Sequence, residues 1–210
     1  VPYTKQPWTD NVTLVDAGHM QHIEDGIFAA SSRMVTPAQL TALAPVQDDR
    51  VTLQVDAANG IYWELYYDAA SASPYKWCYL GGPPLFAEVL TNEGTANDSA
   101  WRALTTPLTL TIPRNGDYDI TVGAFVNPNG GQNIISNASY AIGATAPNVD
   151  DGIQAQYVNA ATEKGPTSSR TRRKPGLVAA TVIAAQYQGG GSTTSTFADR
   201  WLSIVPVRIS

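Results

Sequence analysis

One cysteine in 210 residues, Cys78, excludes an intrachain disulfide framework and points to synthesis in a reducing cytosol. It lies between Trp77 and Tyr79 in a strand-like stretch, the setting of a buried, inert thiol rather than a nucleophile. Histidine is equally scarce: His19 and His22 are the only two, and they share one segment. A zinc site needs three or four placed ligands, and neither a second histidine cluster nor the HExxH order is present, so no metal site is expected. Charged residues make up 15% of the chain, against ~25% in ordinary globular domains. The net charge is −5 with no basic domain, which excludes nucleic acid as a principal partner. No apolar run approaches the ~20 residues that span a bilayer, and VPYTKQPWTD lacks the layout of a signal peptide, so no membrane partner is expected. There is no phosphate-binding glycine loop, no GxGxxG and no GxSxG elbow. The acidic pairs Glu24-Asp25, Asp48-Asp49 and Asp150-Asp151 adjoin turns or a helix surface, as solvated charges do. The expectation is a non-enzymatic chain without catalytic, cofactor-binding or metal residues.

What the chain does have is apolar alternation punctuated by turns. Hydrophobic residues reach 43%, with 17 glycines and 14 prolines, the composition of a mainly β fold. The clearest stretch is Val51 to Leu85. Val51, Leu53 and Val55 alternate with Thr52, Gln54 and Asp56, the period of a half-buried strand. Asn59-Gly60 favours a tight hairpin turn. Ile61, Trp63, Leu65 and Tyr67 then share one face, and a third strand runs from Tyr75 to Leu80 before Gly81-Gly82-Pro83-Pro84. This predicts a small antiparallel meander. The density of Tyr62, Tyr66, Tyr75, Trp77 and Tyr79 could form a sugar platform, but their alternation fits core packing better.

Before the meander, residues 1–15 read as an extended arm with Tyr3 and Trp8 as anchoring aromatics. Asp16 is a good N-cap for a helix over Ala17 to Ser31, where Met20, Ile23 and Ile27 form a narrow apolar stripe. With Gly26 inside, such a helix is marginal alone and needs a partner surface. A connector from Thr36 to Pro45 carries a short helical turn near Ala38 to Ala42. After Pro84, strands are expected at Leu85–Leu90, Leu108–Ile112, Tyr118–Val126, Ile134–Ile142 and Ile153–Val158. Leu177–Tyr187 reads as a central strand buried on both sides, and Trp201–Ile209 as the last, with Trp201, Ser203, Val205, Val207 and Ile209 on one side. Pro206 marks an edge or a bulge in it. Short, closely spaced strands describe a β-sandwich or jelly roll. Three units result: 1–36, arm and helix; 37–84, linker and meander; 85–210, the sandwich. The run Lys164 to Lys174 holds five cations and no acid between glycine-proline pairs, and reads as an exposed loop. Arg170, Arg172, Arg173 and Lys174 in it could contact an acidic neighbour or a polyanionic cell-surface polymer.

The segment PWTDNVTLVDAGHMQHIEDGI resembles a signature near the N-termini of tailed-bacteriophage structural proteins, carried here by Trp8, Asp10, Thr13, Asp16, Ala17, His22, Ile23, Glu24, Gly26 and Ile27. The meander is similar to a module of actinobacterial phage virion proteins through Asp56 to Gly60, Ile61 to Trp63 and Tyr75 to Leu85, departing from it at Tyr66-Tyr67, where an arginine-bearing pair is usual. The C-terminal half resembles the jelly rolls of trimeric phage fibre heads and of complement-type or tumour-necrosis-factor-like domains, ending in a strand such as Arg200 to Arg208. The resemblance implies a virion protein made in the host cytoplasm, a homotrimeric capsid decoration or head-fibre protein. Tyr3, Trp8, Met20, Ile23 and Ile27 would dock it on the major capsid protein or another virion protein. The alternative is a tail-fibre or minor tail protein that binds host cell-surface glycan.

Overall fold

In the computed structural model, the structure describes residues 33–95, 99–128, 134–157, 167–190 and 194–210. The expected arm and helix, with Tyr3, Trp8, His19, Met20, His22, Ile23 and Ile27, lie outside the described residues, as does Lys164.

The organising element is β13 (Ser195–Ile209). On one side it pairs antiparallel with β8 (Gly116–Pro128) along most of its length. On the other side three short strands follow one another: β4 (Trp77–Gly81) opposite Ile209 and Arg208, β5 (Leu85–Val89) opposite Ile204 to Arg200, and β6 (Glu93–Gly94) opposite Phe197 and Thr196. The chain thus climbs β13 in reverse from residue 77 to residue 94. β4 leads outward to β3 (Ile61–Tyr67), β2 (Arg50–Asp56) and a parallel β1 (Arg33–Val35). β8 leads to β11 (Thr167–Leu177) at the opposite edge. The meander expected over 37–84 and the sandwich expected over 85–210 are therefore continuous through one nine-stranded sheet. A second sheet, in the order β10 (Ile153–Tyr157), β9 (Ile134–Ile142), β12 (Val182–Gln188) and β7 (Thr109–Thr111), completes the β-sandwich.

Local chemistry explains most of these elements. Gly60 turns the β2–β3 hairpin at a φ of 68°, a left-handed value glycine adopts without strain. The short helix α1 (Pro37–Ala42) carries a capping box: Thr36 accepts from the Gln39 backbone, and the Gln39 side chain accepts from the Thr36 N–H at 2.8 Å. Leu40 on α1 is buried against the meander. Arg114 then ties three parts together, donating to the carbonyls of Pro37 and Ser210 and to the Thr41 hydroxyl. The core runs without a break from Leu53, Trp63 and Leu65 of the meander to Tyr118, Ile120, Val122, Leu202 and Ile204 between the sheets. Trp63 meets Tyr118 at 6.4 Å and Tyr187 meets Phe197 at 4.9 Å, the spacing of packed aromatic pairs. Trp77 is buried beside Tyr67, so the meander's tryptophans serve packing.

Three expectations need correction. Leu177–Tyr187 is two strands, not one: β11 ends at Leu177, Ala180 turns the chain at a φ of 65°, and β12 begins at Val182 with one face partly open to solvent. The expected face of the last strand is the outer one, except for Ile209. Leu202 and Ile204 point inward, and a bulge between Pro206 and Arg208 returns Ile209 to the interior. The basic run, read as a loop, is strand β11 from Thr167 onward.

Candidate functional surface

β11 shows what the basic residues do once they lie on a strand. Paired with β8, it sets Arg170 opposite Val122, Arg172 opposite Ile120 and Lys174 opposite Tyr118, on the interior-facing side of the sheet. Arg173, opposite Asp119, falls on the outer side. Most of β11 is exposed, as the edge strand of the nine-stranded sheet. Its cations find partners within the chain. Arg172 donates to the Asp150 carbonyl at 2.9 Å, and Lys174 forms an ion pair with Asp151 while lying over the Tyr140 ring. Arg173 grips Asp119 through two 2.9 Å bonds, the planar fork that suits a carboxylate. Three of the four cations thus have intramolecular partners, and charge along an exposed edge also guards against sheet-to-sheet aggregation. Arg170 remains exposed.

The inner face of β13 holds one charge, which the sequence reading did not single out. Arg200 has no exposed side-chain surface. It pairs with Glu93 of β6 at 3.0 Å, donates to the Thr106 carbonyl at 3.2 Å and lies over the Tyr187 ring. Hydrogen bonding from Thr106 holds the Glu93 carboxyl below its usual range, with Arg200 adding a smaller pull. Burial pushes the Tyr187 hydroxyl up to about 12, against the opposing effect of Arg200. The signal was an arginine at an inward phase between Phe197 and Leu202. That phase depends on a bulge at Asp199, which takes a φ of 44°.

The outer face of the long sheet is different. Register places Phe86 opposite Ser203 and Glu88 opposite Trp201 on β5 and β13, and Gly123 opposite Trp201 on β8. A β-carbon built on Gly123 would fall 2.1 Å from the Trp201 ring, so the indole occupies the notch that glycine leaves. Leu80, Phe86 and Leu90 are 47%, 50% and 65% exposed. Phe86, Glu88, Leu90, Asp199, Arg200 and Trp201 line an open groove of about 220 Å³.

No family model matches the chain, and no curated protein is a significant relative. Solved structures with a similar arrangement include infectious bursal disease virus, Gx strain, at 9% identity and a TM-score of 0.36, over 69% of this chain and 38% of that one. Eiger TNF from S. frugiperda is similar at 12% identity and a TM-score of 0.32, over 61% of this chain and 95% of that one. TmCBM61, a carbohydrate-binding module in complex with beta-1,4-galactotriose, is similar at 9% identity and a TM-score of 0.29, over 58% and 81%. The chain therefore spans about two fifths of the viral chain it is compared with.

Proposed function

We propose that the chain is a non-enzymatic structural protein of a bacteriophage virion, a capsid decoration or head-fibre protein that displays its β-sandwich outward. The observation that carries this reading is the outer face of the long sheet, where Phe86 and Leu90 stay exposed beside Trp201 along one groove on a sandwich whose interior is closely packed. Exposed apolar groups collected on one face are the mark of a contact surface. The virion setting follows from the sequence resemblance in residues 8–27 and 56–85, the homotrimer from the resemblance of the C-terminal half, and attachment to the major capsid protein through Tyr3, Trp8, Met20, Ile23 and Ile27 from the expected arm and helix.

The competing reading is a tail protein that binds host glycan through Arg170, Arg172, Arg173 and Lys174. It is weakened because three of those cations are already engaged by Asp119, Asp150 and Asp151. Immunogold electron microscopy of intact particles, with antibody to residues 85–210, separates the two. Gold spread over the capsid is the expected result, gold confined to the tail tip favours the tail protein, and particles without gold sink both.

A further inference from the structure

We propose that the groove between β5 and β13 is a subsite for one neutral sugar ring of a glycan, whether the chain sits on head or tail. This goes beyond a structural role and rests on different residues from the basic strand.

A pyranose offers an apolar face of C–H groups and a rim of hydroxyls, and the groove presents the complement of both. Its apolar lining is Trp201, Phe86 and Leu90. The Trp201 indole is seated in the notch at Gly123, which fixes it with few rotameric choices left to lose when a ligand stacks on it. Glu88, directly across the ladder from Trp201, and Asp199, two residues before it, add carboxylates to the lining. Ionised carboxylates only accept hydrogen bonds, so they suit hydroxyl donors. Neither has an ion-pair or side-chain hydrogen-bond partner among the described residues. At about 220 Å³ the groove is smaller than the ~300–1,000 Å³ of pockets for drug-sized ligands, room for one ring rather than several.

The same carboxylates argue against other occupants. An anionic ligand would be repelled by Glu88 and Asp199, since the Arg200 guanidinium in the same lining has no exposed side-chain surface and is paired with Glu93. A second copy docking about a two-fold axis would bring Glu88 and Asp199 against their own counterparts, since such an interface is self-complementary.

The test is isothermal titration of the full chain with neutral hexasaccharides (α- and β-1,4-glucan, β-1,4-galactan, α-1,6-mannan), with a cationic chitosan hexamer as control. The expected result is binding of at least one neutral oligosaccharide with a Kd of about 1 mM or tighter, the range of weak single-site contacts. Trp201→Ala should weaken it by roughly tenfold or more, since buried aromatic anchors dominate such contacts. Because Trp201→Ala also empties the notch at Gly123, Glu88→Gln and Phe86→Ala provide the check on exposed positions. Each should weaken binding at least severalfold with an unchanged unfolding midpoint, while Arg170→Glu leaves binding intact. Four results overturn the proposal: no heat from any neutral hexasaccharide, equal affinity in the wild type and the groove variants, binding of chitosan alone, or an oligomer that dissociates on Phe86→Ser.

Discussion

The two faces of β13 belong to one strand and are finished differently. Inward, Phe197, Arg200, Leu202, Ile204 and Ile209 are all fully buried, and two bulges reset the phase so that each stays inside. Outward, Trp201, Ser203, Val205 and Val207 are only half covered, and the neighbouring Phe86 and Leu90 are open to water. The inner face is where stability resides, and its composition is constrained by packing. The outer face gains little stability from its apolar groups, so their presence there calls for a role in contact. Apolar residues scattered singly over a surface need no explanation, but Phe86, Leu90 and Trp201 lie together along one groove.

Substitutions on the two faces should differ in effect accordingly. The largest effect should come from Glu93→Ala, which leaves the Arg200 guanidinium buried without its carboxylate. Breaking one side of a buried pair costs about 3–5 kcal/mol, read as a lower urea midpoint. Leu202→Ala, two positions along the same inner face, should cost about 3 kcal/mol through lost burial and the cavity left behind. If either change were silent, the inner face would not be the stabilising one.

The third effect is alkaline. The Tyr187 hydroxyl is raised from 10 to about 12, so the folded chain keeps its proton where the unfolded chain has lost it. The stability it contributes is whole below pH 10 and is lost as pH rises through about 12, a difference on the order of 2 kcal/mol. Urea midpoints followed from pH 8 to 11.5 should fall, and Tyr187→Phe should flatten the fall; parallel curves would remove Tyr187 as a cause. The smallest effect belongs to the outer face, where Phe86→Ser should shift stability by no more than about 0.5 kcal/mol. A loss comparable to that of Leu202→Ala would erase the difference between the faces.

The parts of the fold that depend on neighbouring residues were legible in the sequence. Asn59-Gly60 specified a hairpin, alternation located β2, β3 and β8, and β9 runs from Ile134 to Ile142 as expected. What depends on distant pairing was not. Lys164 to Lys174 looked like a loop because Gly165-Pro166 and Pro175-Gly176 flank it. The place of this run on β11 rests on partners far along the chain, such as Asp119 for Arg173, 54 residues away. The phase of β13 could not be read by strict alternation, because the bulges at Asp199 and Pro206 each insert a residue. Arg200 and Glu93 are separated by more than 100 residues and meet only because β6 closes against β13. The groove was invisible for the same reason. Phe86, Gly123 and Trp201 lie on three strands that are far apart in sequence, and the meander's tyrosines were the more conspicuous aromatics.

A chain held on a particle by its N-terminal residues would leave the outer face of its long sheet open. Hydroxyl-radical footprinting of the protein on intact virions tests it most directly, compared with the isolated chain. Oxidation of Leu80, Phe86, Leu90 and Trp201 should be as rapid on the particle as off it, while Tyr3, Trp8 and Met20 become protected. Protection of the four sheet residues on the particle, with the N-terminal residues still reactive, would contradict the account.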